Sequence, residues 1–178
     1  MANILTIFDF DETLIVSETE IIVQHSDGNI TYMNSEEYSR YVPKPGDKFD
    51  YSNFNMYPKS PKKIKHTFAE LEAALSRGDH VMILTARANK VPVQDFMCDH
   101  GYSVEVVTVG SGSPQAKAKV VMERVLSTDY DMVQVFEDNA TNIRAIKKVV
   151  TDVGIKFRST RISASHREQL FERRNRRR

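Results

Sequence analysis

The sequence predicts an α/β fold: a doubly wound, Rossmann-like, mostly parallel sheet with helices on both faces. Short apolar runs typical of buried strands alternate along the chain with segments of helical periodicity. One stretch, 16–60, breaks this alternation directly after the first strand, which indicates a small flap or cap insertion. We therefore expect a single domain over 1–162, followed by a basic helix or tail over 163–178.

The regular elements follow from the apolar pattern and its end signals. The predicted strands are, in chain order, 4–8, 81–84, 104–108, 132–136 and 153–157. The predicted helices are approximately 61–77, 89–99, 115–126 and 140–149. Pro61 and Pro114 stand at helix starts, and Gly78 follows a helix end, as is typical of helix boundaries.

The 16–60 segment has a pattern of its own. Two apolar runs, 20–23 and 30–32, flank a turn that contains Asp27-Gly28, a pair typical of hairpins. A short capped helix is predicted over 34–41, and a loop rich in proline, glycine and aromatic residues continues to 58. The rings are expected to pack the flap onto the core, and stacking on nucleobases is the alternative.

Composition limits the classes of function. With 40% apolar and 28% charged residues, the chain is typical of globular proteins. Its single cysteine, Cys98, excludes an internal disulfide and fits a reducing cytoplasm. We see neither a signal peptide nor a run long enough to span a membrane, so a cytoplasmic location and no membrane partner are expected.

Charge is nearly balanced except at the end of the sequence. The formal net charge is +1, which provides no strong overall field for nucleic acid. Five arginines nevertheless fall within 173–178. This run fits either a solvated terminus or a basic arm for RNA, DNA or an acidic partner.

Polar side chains follow four of the predicted strands. Because the carboxyl ends of parallel strands meet at one edge of a sheet, we expect these side chains to converge there. They are Asp9, Asp11, Thr85, Arg87, Lys117, Lys119, Glu137, Asp138 and Asn142.

These residue types fit phosphoryl chemistry. Asp9, Asp11 and Asp138 would repel one another unless a divalent cation lay among them, and Mg²⁺ prefers such hard oxygen ligands. A threonine hydroxyl at Thr85 and a lysine ammonium can donate to phosphoryl oxygens. We favour Lys117, in the first turn of its helix, since Lys119 would face about 200 degrees away. Arg87 is expected either to contact substrate, to orient its loop or to form a surface salt bridge.

The constellation resembles the haloacid dehalogenase superfamily of phosphatases, whose four motifs it follows in order from residue 9 to residue 142. Asp9-Phe10-Asp11-Glu12-Thr13 is similar to the D-x-D-x-T signature, and Leu84-Thr85 to the second motif. Lys117 or Lys119 corresponds to the third motif, and Glu137-Asp138 with Asn142 to the fourth. Two residues depart from it: Glu137 replaces the usual glycine or aspartate, and Asn142 replaces a frequent second acid. The 16–60 segment resembles small phosphatase-like proteins of bacteriophages.

The resemblance implies a Mg²⁺-dependent phosphomonoester hydrolase. Asp9 would be the nucleophile and form an aspartyl-phosphate. Asp11 would protonate the leaving oxygen and then deprotonate water, while its backbone carbonyl binds the metal together with Asp9 and Asp138. Thr13 is expected to tie the turn between the two acids through its hydroxyl.

Two other functions remain open from the sequence. One is a receiver-like phosphoacceptor, although a receiver places its acid pair and its phosphoacceptor on different strands. The other is a catalytically inactive nucleic-acid-binding protein. Within the hydrolase interpretation, the aromatic and basic residues of 38–65 and the arginine tail favour a nucleotide or polynucleotide phosphate. A phosphoprotein or a sugar phosphate is the alternative substrate.

Overall fold

A computed structural model describes residues 2–163 of the chain. The strands are β1 (Ile4–Phe8), β2 (Ile15–Val16), β3 (Glu20–Gln24), β4 (Ile30–Asn34), β5 (Lys48–Asp50), β6 (Lys62–Lys63), β7 (His80–Thr85), β8 (Glu105–Thr108), β9 (Met132–Glu137) and β10 (Lys156–Arg161). The helices are α1 (Ser35–Arg40), α2 (Lys65–Arg77), α3 (Val91–Asp99), α4 (Pro114–Ser127) and α5 (Ala140–Asp152), with a 3-10 helix at Ser52–Asn55. None of the helices within 2–163 is long and apolar enough to cross a membrane.

The central sheet has five strands in the order β10-β9-β1-β7-β8. Every neighbouring pair is parallel, which confirms the predicted parallel α/β sheet and is consistent with a Rossmann-like fold. The chain starts in the middle at β1, continues outward through β7 and β8, and returns to the other side through β9 and β10. In such sheets the crevice lies at the carboxyl ends of the strands where the winding reverses, here between β1 and β9.

Helices cover both faces of the sheet, and the side chains of β1 alternate between them. Leu5 and Ile7 lie in one hydrophobic cluster with residues of α4 and α5, whereas Phe8 lies in another with residues of α2 and α3. The helical members of the first cluster are Val121, Val125, Ile146 and Val150. Those of the second include Phe68, Leu71, Val93 and Phe96.

The start of α2 differs from the predicted helix 61–77. The helix begins at Lys65, because Lys62–Lys63 form β6 and pair antiparallel with Ile15–Val16 of β2. The amide of Ile64 then donates to the carbonyl of Leu14 at 2.8 Å, so these residues are committed to a second small sheet. Gly78 ends the helix in a left-handed conformation, as its position predicts.

The last strand lies three residues later than the predicted 153–157. Helix α5 continues to Asp152, and a turn at Gly154, with φ of 80°, separates it from β10. β10 then pairs with β9 over 156–161. The basic helix or tail predicted over 163–178 lies, apart from Ser163, outside the described residues.

The 16–60 segment contains a three-stranded antiparallel sheet in the order β4-β3-β5. Its β3–β4 pair is the predicted hairpin, and Asn34 caps α1 through a reciprocal capping box with Glu37. β5 and the 3-10 helix were not predicted. The sheet has a hydrophobic cluster of its own, against which four of the rings pack. Its members are Ile21, Val23 and Met33, and the rings are Tyr38, Tyr41, Phe49 and Phe54.

Candidate active site

Asp9 lies directly beyond the carboxyl end of β1, in the middle of the sheet. Its amide continues the ladder by donating to the carbonyl of Phe136 at 3.0 Å, which fixes its backbone against β9. By strand alternation its side chain shares a face with Leu5 and Ile7, the face covered by α4 and α5. The residue is only 6% exposed, so its carboxylate is largely removed from water.

Lys117 reaches this carboxylate from the first turns of α4. Its Nζ lies 2.7 Å from Asp9 Oδ1 and 2.8 Å from Glu137 Oε2, and the residue is buried. Lys117 stands four residues before Val121, which faces the same side of the helix into the core. Lys119 instead has a side chain that is 72% exposed and 3.9 Å from Glu123. The structure therefore brings Lys117, and not Lys119, to Asp9.

Three carboxylates meet around Lys117. One oxygen each from Asp9, Glu137 and Asp138 can be chosen so that all lie within 4.8 Å of one another. If all three are ionised, the single ammonium leaves this buried group with two negative charges in excess.

The pKa values of these groups reflect burial first and the neighbouring charges second. Burial and then the neighbouring Glu137 carboxylate raise the pKa of Asp9, although Lys117 opposes them. Burial raises the pKa of Asp138 as well, and the charges of Asp9 and Glu137 add to the effect. Burial alone would lower the pKa of Lys117, but the two carboxylates outweigh it and the pKa lies above its ordinary value.

The cluster fits a divalent cation. Mg²⁺ takes hard oxygen ligands, few of them protein carboxylates, and retains several waters. Asp9 and Asp138 meet that requirement, and Glu137 lies beside them; Asp9 and Glu137 both also accept from Lys117. A divalent ion would balance the two excess charges and favour the ionised carboxylates against the effect of burial.

The turn after Asp9 places the other residues of the D-x-D-x-T motif. The amide of Leu14 donates to the carbonyl of Phe10 at 2.9 Å, and Glu12 adopts a left-handed backbone with φ of 62°. Thr13 does more than tie this turn, since its buried hydroxyl donates to Asp9 Oδ2 at 3.1 Å. Lys117 and Thr13 thus hold one oxygen each of the same carboxylate.

Asp11 does not join the carboxylate cluster through its side chain. Its two oxygens accept from Nε and Nη2 of Arg87, each at 2.8 Å. The Arg87 side chain is 1% exposed, so the alternative of a surface salt bridge is wrong. Its Nη1 donates to the carbonyls of Phe54 at 3.0 Å and Met56 at 3.3 Å, both in the 16–60 segment.

Thr85 ends β7 beside these residues and is 1% exposed. Its Oγ1 accepts the amide of Arg87 at 3.2 Å. A hydroxyl that accepts in this way keeps its own hydrogen for a second partner.

Asn142 is buried in α5. The amide of Asn139, at the start of that helix, donates to Glu137 Oε1 at 3.2 Å.

Glu137 is the residue whose role the sequence reasoning did not assign. Strand alternation in β9 puts it on the same face as Val133 and Val135, both of which pack in the cluster with α4 and α5. The spacing of four from Lys117 to Val121 points that lysine to the same face. These two periodicities were the available signal that Glu137 and Lys117 would meet.

Comparison with models of known protein families finds no match for this chain. No curated protein matches its sequence either.

Proposed function

We propose that the protein is a Mg²⁺-dependent phosphomonoester hydrolase of the haloacid dehalogenase type, with Asp9 as its nucleophile. The observation that carries the proposal is the buried Asp9 carboxylate, which Lys117 orients at 2.7 Å and Thr13 at 3.1 Å. It belongs to a group of three carboxylates that, when all are ionised, has two negative charges in excess of the Lys117 ammonium. A nucleophile oriented at both oxygens suits attack on a phosphorus atom, where positioning and electrostatics supply most of the catalysis.

The metal would be held by Asp9 and Asp138, with Glu137 beside them and the backbone carbonyl of Asp11 as the expected further ligand. When bound, Mg²⁺ reduces the repulsion between the carboxylate nucleophile and the phosphate and stabilises negative charge on the phosphoryl oxygens. Lys117 supplies a fixed positive charge beside Asp9, and the Thr85 hydroxyl would donate to the phosphoryl oxygens.

The reaction takes two steps. An oxygen of Asp9 forms a bond to phosphorus as the ester oxygen leaves, and Asp11 gives that oxygen its proton. Asp11 then takes a proton from water, whose oxygen attacks the aspartyl-phosphate. Cleavage of the bond between phosphorus and Asp9 releases phosphate and restores both carboxyl groups.

We further propose that the 16–60 segment acts as a flap beside the site and takes part in substrate selection. Its carbonyls at Phe54 and Met56 contact Arg87, which contacts Asp11. Four of its rings pack in its own hydrophobic cluster, so stacking on a nucleobase falls to Tyr32, Tyr51 and Tyr57, which are 56%, 46% and 43% exposed. These rings and the nearby lysines support a nucleotide or polynucleotide phosphate as the preferred substrate.

The test is continuous hydrolysis of p-nitrophenyl phosphate with and without Mg²⁺, with Asp9→Asn as the matched control. Sustained turnover that needs both Mg²⁺ and Asp9 supports the proposal. Labelling of Asp9 once by a small phosphodonor, with no further turnover, would instead indicate a receiver-like module. Binding of an oligonucleotide equally by wild type and Asp9→Asn, without hydrolysis, would indicate an inactive binding protein.

The substrate class needs a separate screen. Nucleoside monophosphates, oligonucleotides with a terminal phosphate, sugar phosphates and a phosphopeptide are compared at equal concentration. Nucleotide or oligonucleotide turnover at least tenfold above that of the sugar phosphates supports the preference. Turnover of a sugar phosphate alone contradicts it while leaving the hydrolase proposal intact.

A further inference from the structure

We propose that Arg87 is a positioning residue for Asp11, and that residues 54–56 of the flap hold Arg87 in place. The inference rests on the proposed function, because it concerns the general acid and base of that reaction. It replaces the expectation that Arg87 contacts substrate directly.

Four of the five N–H groups of the guanidinium are engaged in this arrangement, and its side chain is only 1% exposed. Nε and Nη2 donate to the two oxygens of Asp11, and Nη1 donates to the carbonyls of Phe54 and Met56. The planar fork of arginine matches a carboxylate at two points, which fixes the orientation of the Asp11 carboxylate as well as its distance. An ammonium on a flexible stem would fix the distance alone.

The surroundings make this arrangement rigid. The Arg87 guanidinium carbon lies 5.3 Å from the ring centre of Phe10 and 5.0 Å from that of Phe54. The backbone of Arg87 is fixed as well, since its amide donates to Thr85 and its carbonyl accepts from Gly110 at 3.1 Å. Asp11, by contrast, has a side chain that is 20% exposed, so it is the partner that can move.

Each oxygen of Asp11 accepts one bond from Arg87 in this structure, which leaves one lone pair on each oxygen for the proton that the residue gives and takes up. Arg87 therefore sets the direction in which those free lone pairs point. Because backbone carbonyls of the flap share the same guanidinium, a displacement of 54–56 changes the position of Arg87 and, through it, that of Asp11.

The competing interpretation is a brace that contributes to stability alone. The positioning role and the brace differ in how the loss of activity depends on the leaving group of the substrate. A p-nitrophenolate leaves readily without a proton, whereas an alkoxide needs one, so a misplaced general acid slows alkyl phosphates most. A brace that lowers the amount of folded protein slows both substrates by the same factor.

The experiment compares Arg87→Gln and Arg87→Lys with wild type on p-nitrophenyl phosphate and on a simple alkyl phosphate, at matched folded concentration. We expect the alkyl phosphate to lose about 10- to 100-fold more activity than p-nitrophenyl phosphate. Phe54→Leu, which removes the ring beside the guanidinium, should show the same bias to a smaller extent. Arg77→Gln is the control, since Arg77 forms an arginine–aspartate fork with Asp79 at the opposite end of β7.

A double variant separates positioning from stability once more. In an Asp11→Asn background the general acid is already lost, so adding Arg87→Gln should change the alkyl phosphate rate less than about twofold. Arg87→Lys retains a buried positive charge and provides the test if Arg87→Gln does not fold. Equal losses of activity on the two substrates would overturn the inference but not the proposed function. Losses that multiply in the double variant would do the same. Absence of all turnover by the wild type overturns both the inference and the proposed function.

Discussion

The ammonium of Lys117 lies 2.7 Å from the carboxylate of Asp9, across 108 residues of sequence. The strand that carries Asp9 and the helix that carries Lys117 pack through one hydrophobic cluster. The geometry of the Asp9 carboxylate is consequently tied to the packing of that face of the sheet.

Replacement of Asp9 by asparagine should abolish turnover and leave the fold intact. The variant keeps the side-chain shape, and its single oxygen can accept from Lys117 while its amide nitrogen donates to the Thr13 hydroxyl, but an amide oxygen cannot form the aspartyl-phosphate. We expect hydrolysis to fall by at least about 1000-fold, as for the loss of other enzymatic nucleophiles. Initial rates and circular dichroism check this, and activity within tenfold of wild type would contradict the role of Asp9.

Replacement of Lys117 by methionine should destabilise the metal-free protein by about 3–5 kcal/mol at neutral pH. The side chain is 4% exposed, and its loss leaves Asp9 and Glu137 buried without their shared cation. Saturating Mg²⁺ should restore part of the loss. Urea unfolding measures both effects. Lys119→Met is the control and should change the free energy of unfolding by less than about 0.5 kcal/mol, since Lys119 is exposed.

Replacement of Glu137 by glutamine should lower the apparent Mg²⁺ affinity or the activity by about 10- to 100-fold, the range found when groups that orient metal ligands are removed. Glu137 accepts from Lys117 and from the amide of Asn139, so it aligns the lysine and the loop that carries Asp138. A Mg²⁺ titration of the rate tests this. Glu123→Gln, which changes an exposed partner of Lys119, should behave like wild type.

Stabilisation by Mg²⁺ should increase with pH. The pKa of Asp9 rises from 3.8 to about 7 on folding, so between these values the folded chain binds more protons than the unfolded chain. The free energy of unfolding of the metal-free protein therefore falls as pH rises through this range. Mg²⁺ needs the ionised carboxylates, so its effect on Tm should be larger at about pH 8 than at about pH 5.

Thermal unfolding with and without Mg²⁺ at the two pH values provides the measurement. Asp9→Asn should reduce the difference between them, because one of the titrating groups is gone. An equal shift in Tm at both pH values would contradict a metal site formed by Asp9 and Asp138.

Local periodicity was sufficient to predict the central sheet. β1 spans the predicted 4–8, and α3 and α4 differ from their predicted bounds by one or two residues. The errors lie at the ends of elements. Lys62–Lys63 extend because β2 offers them a partner, and α5 continues to Asp152 because nothing before Gly154 interrupts it.

Part of the candidate site could also be predicted from the sequence, and part could not. Asp9, Glu137 and Lys117 stand on elements whose buried faces can be determined by counting along the strand or helix. The partners of Arg87 cannot be found by counting, because two of them are backbone carbonyls in an irregular stretch at Phe54 and Met56. The identity of the side chains does not show where the backbone carbonyls of such a stretch point.

The hydrophobic cluster of Ile21, Val23 and Met33 shares no member with the two clusters of the central sheet. These three residues can accordingly be substituted without loosening the layers that support Asp9 and Lys117. Under the substrate-selection role proposed for this segment, directed evolution restricted to the small sheet would change which molecules are accepted while Asp9 and Lys117 stay unaltered.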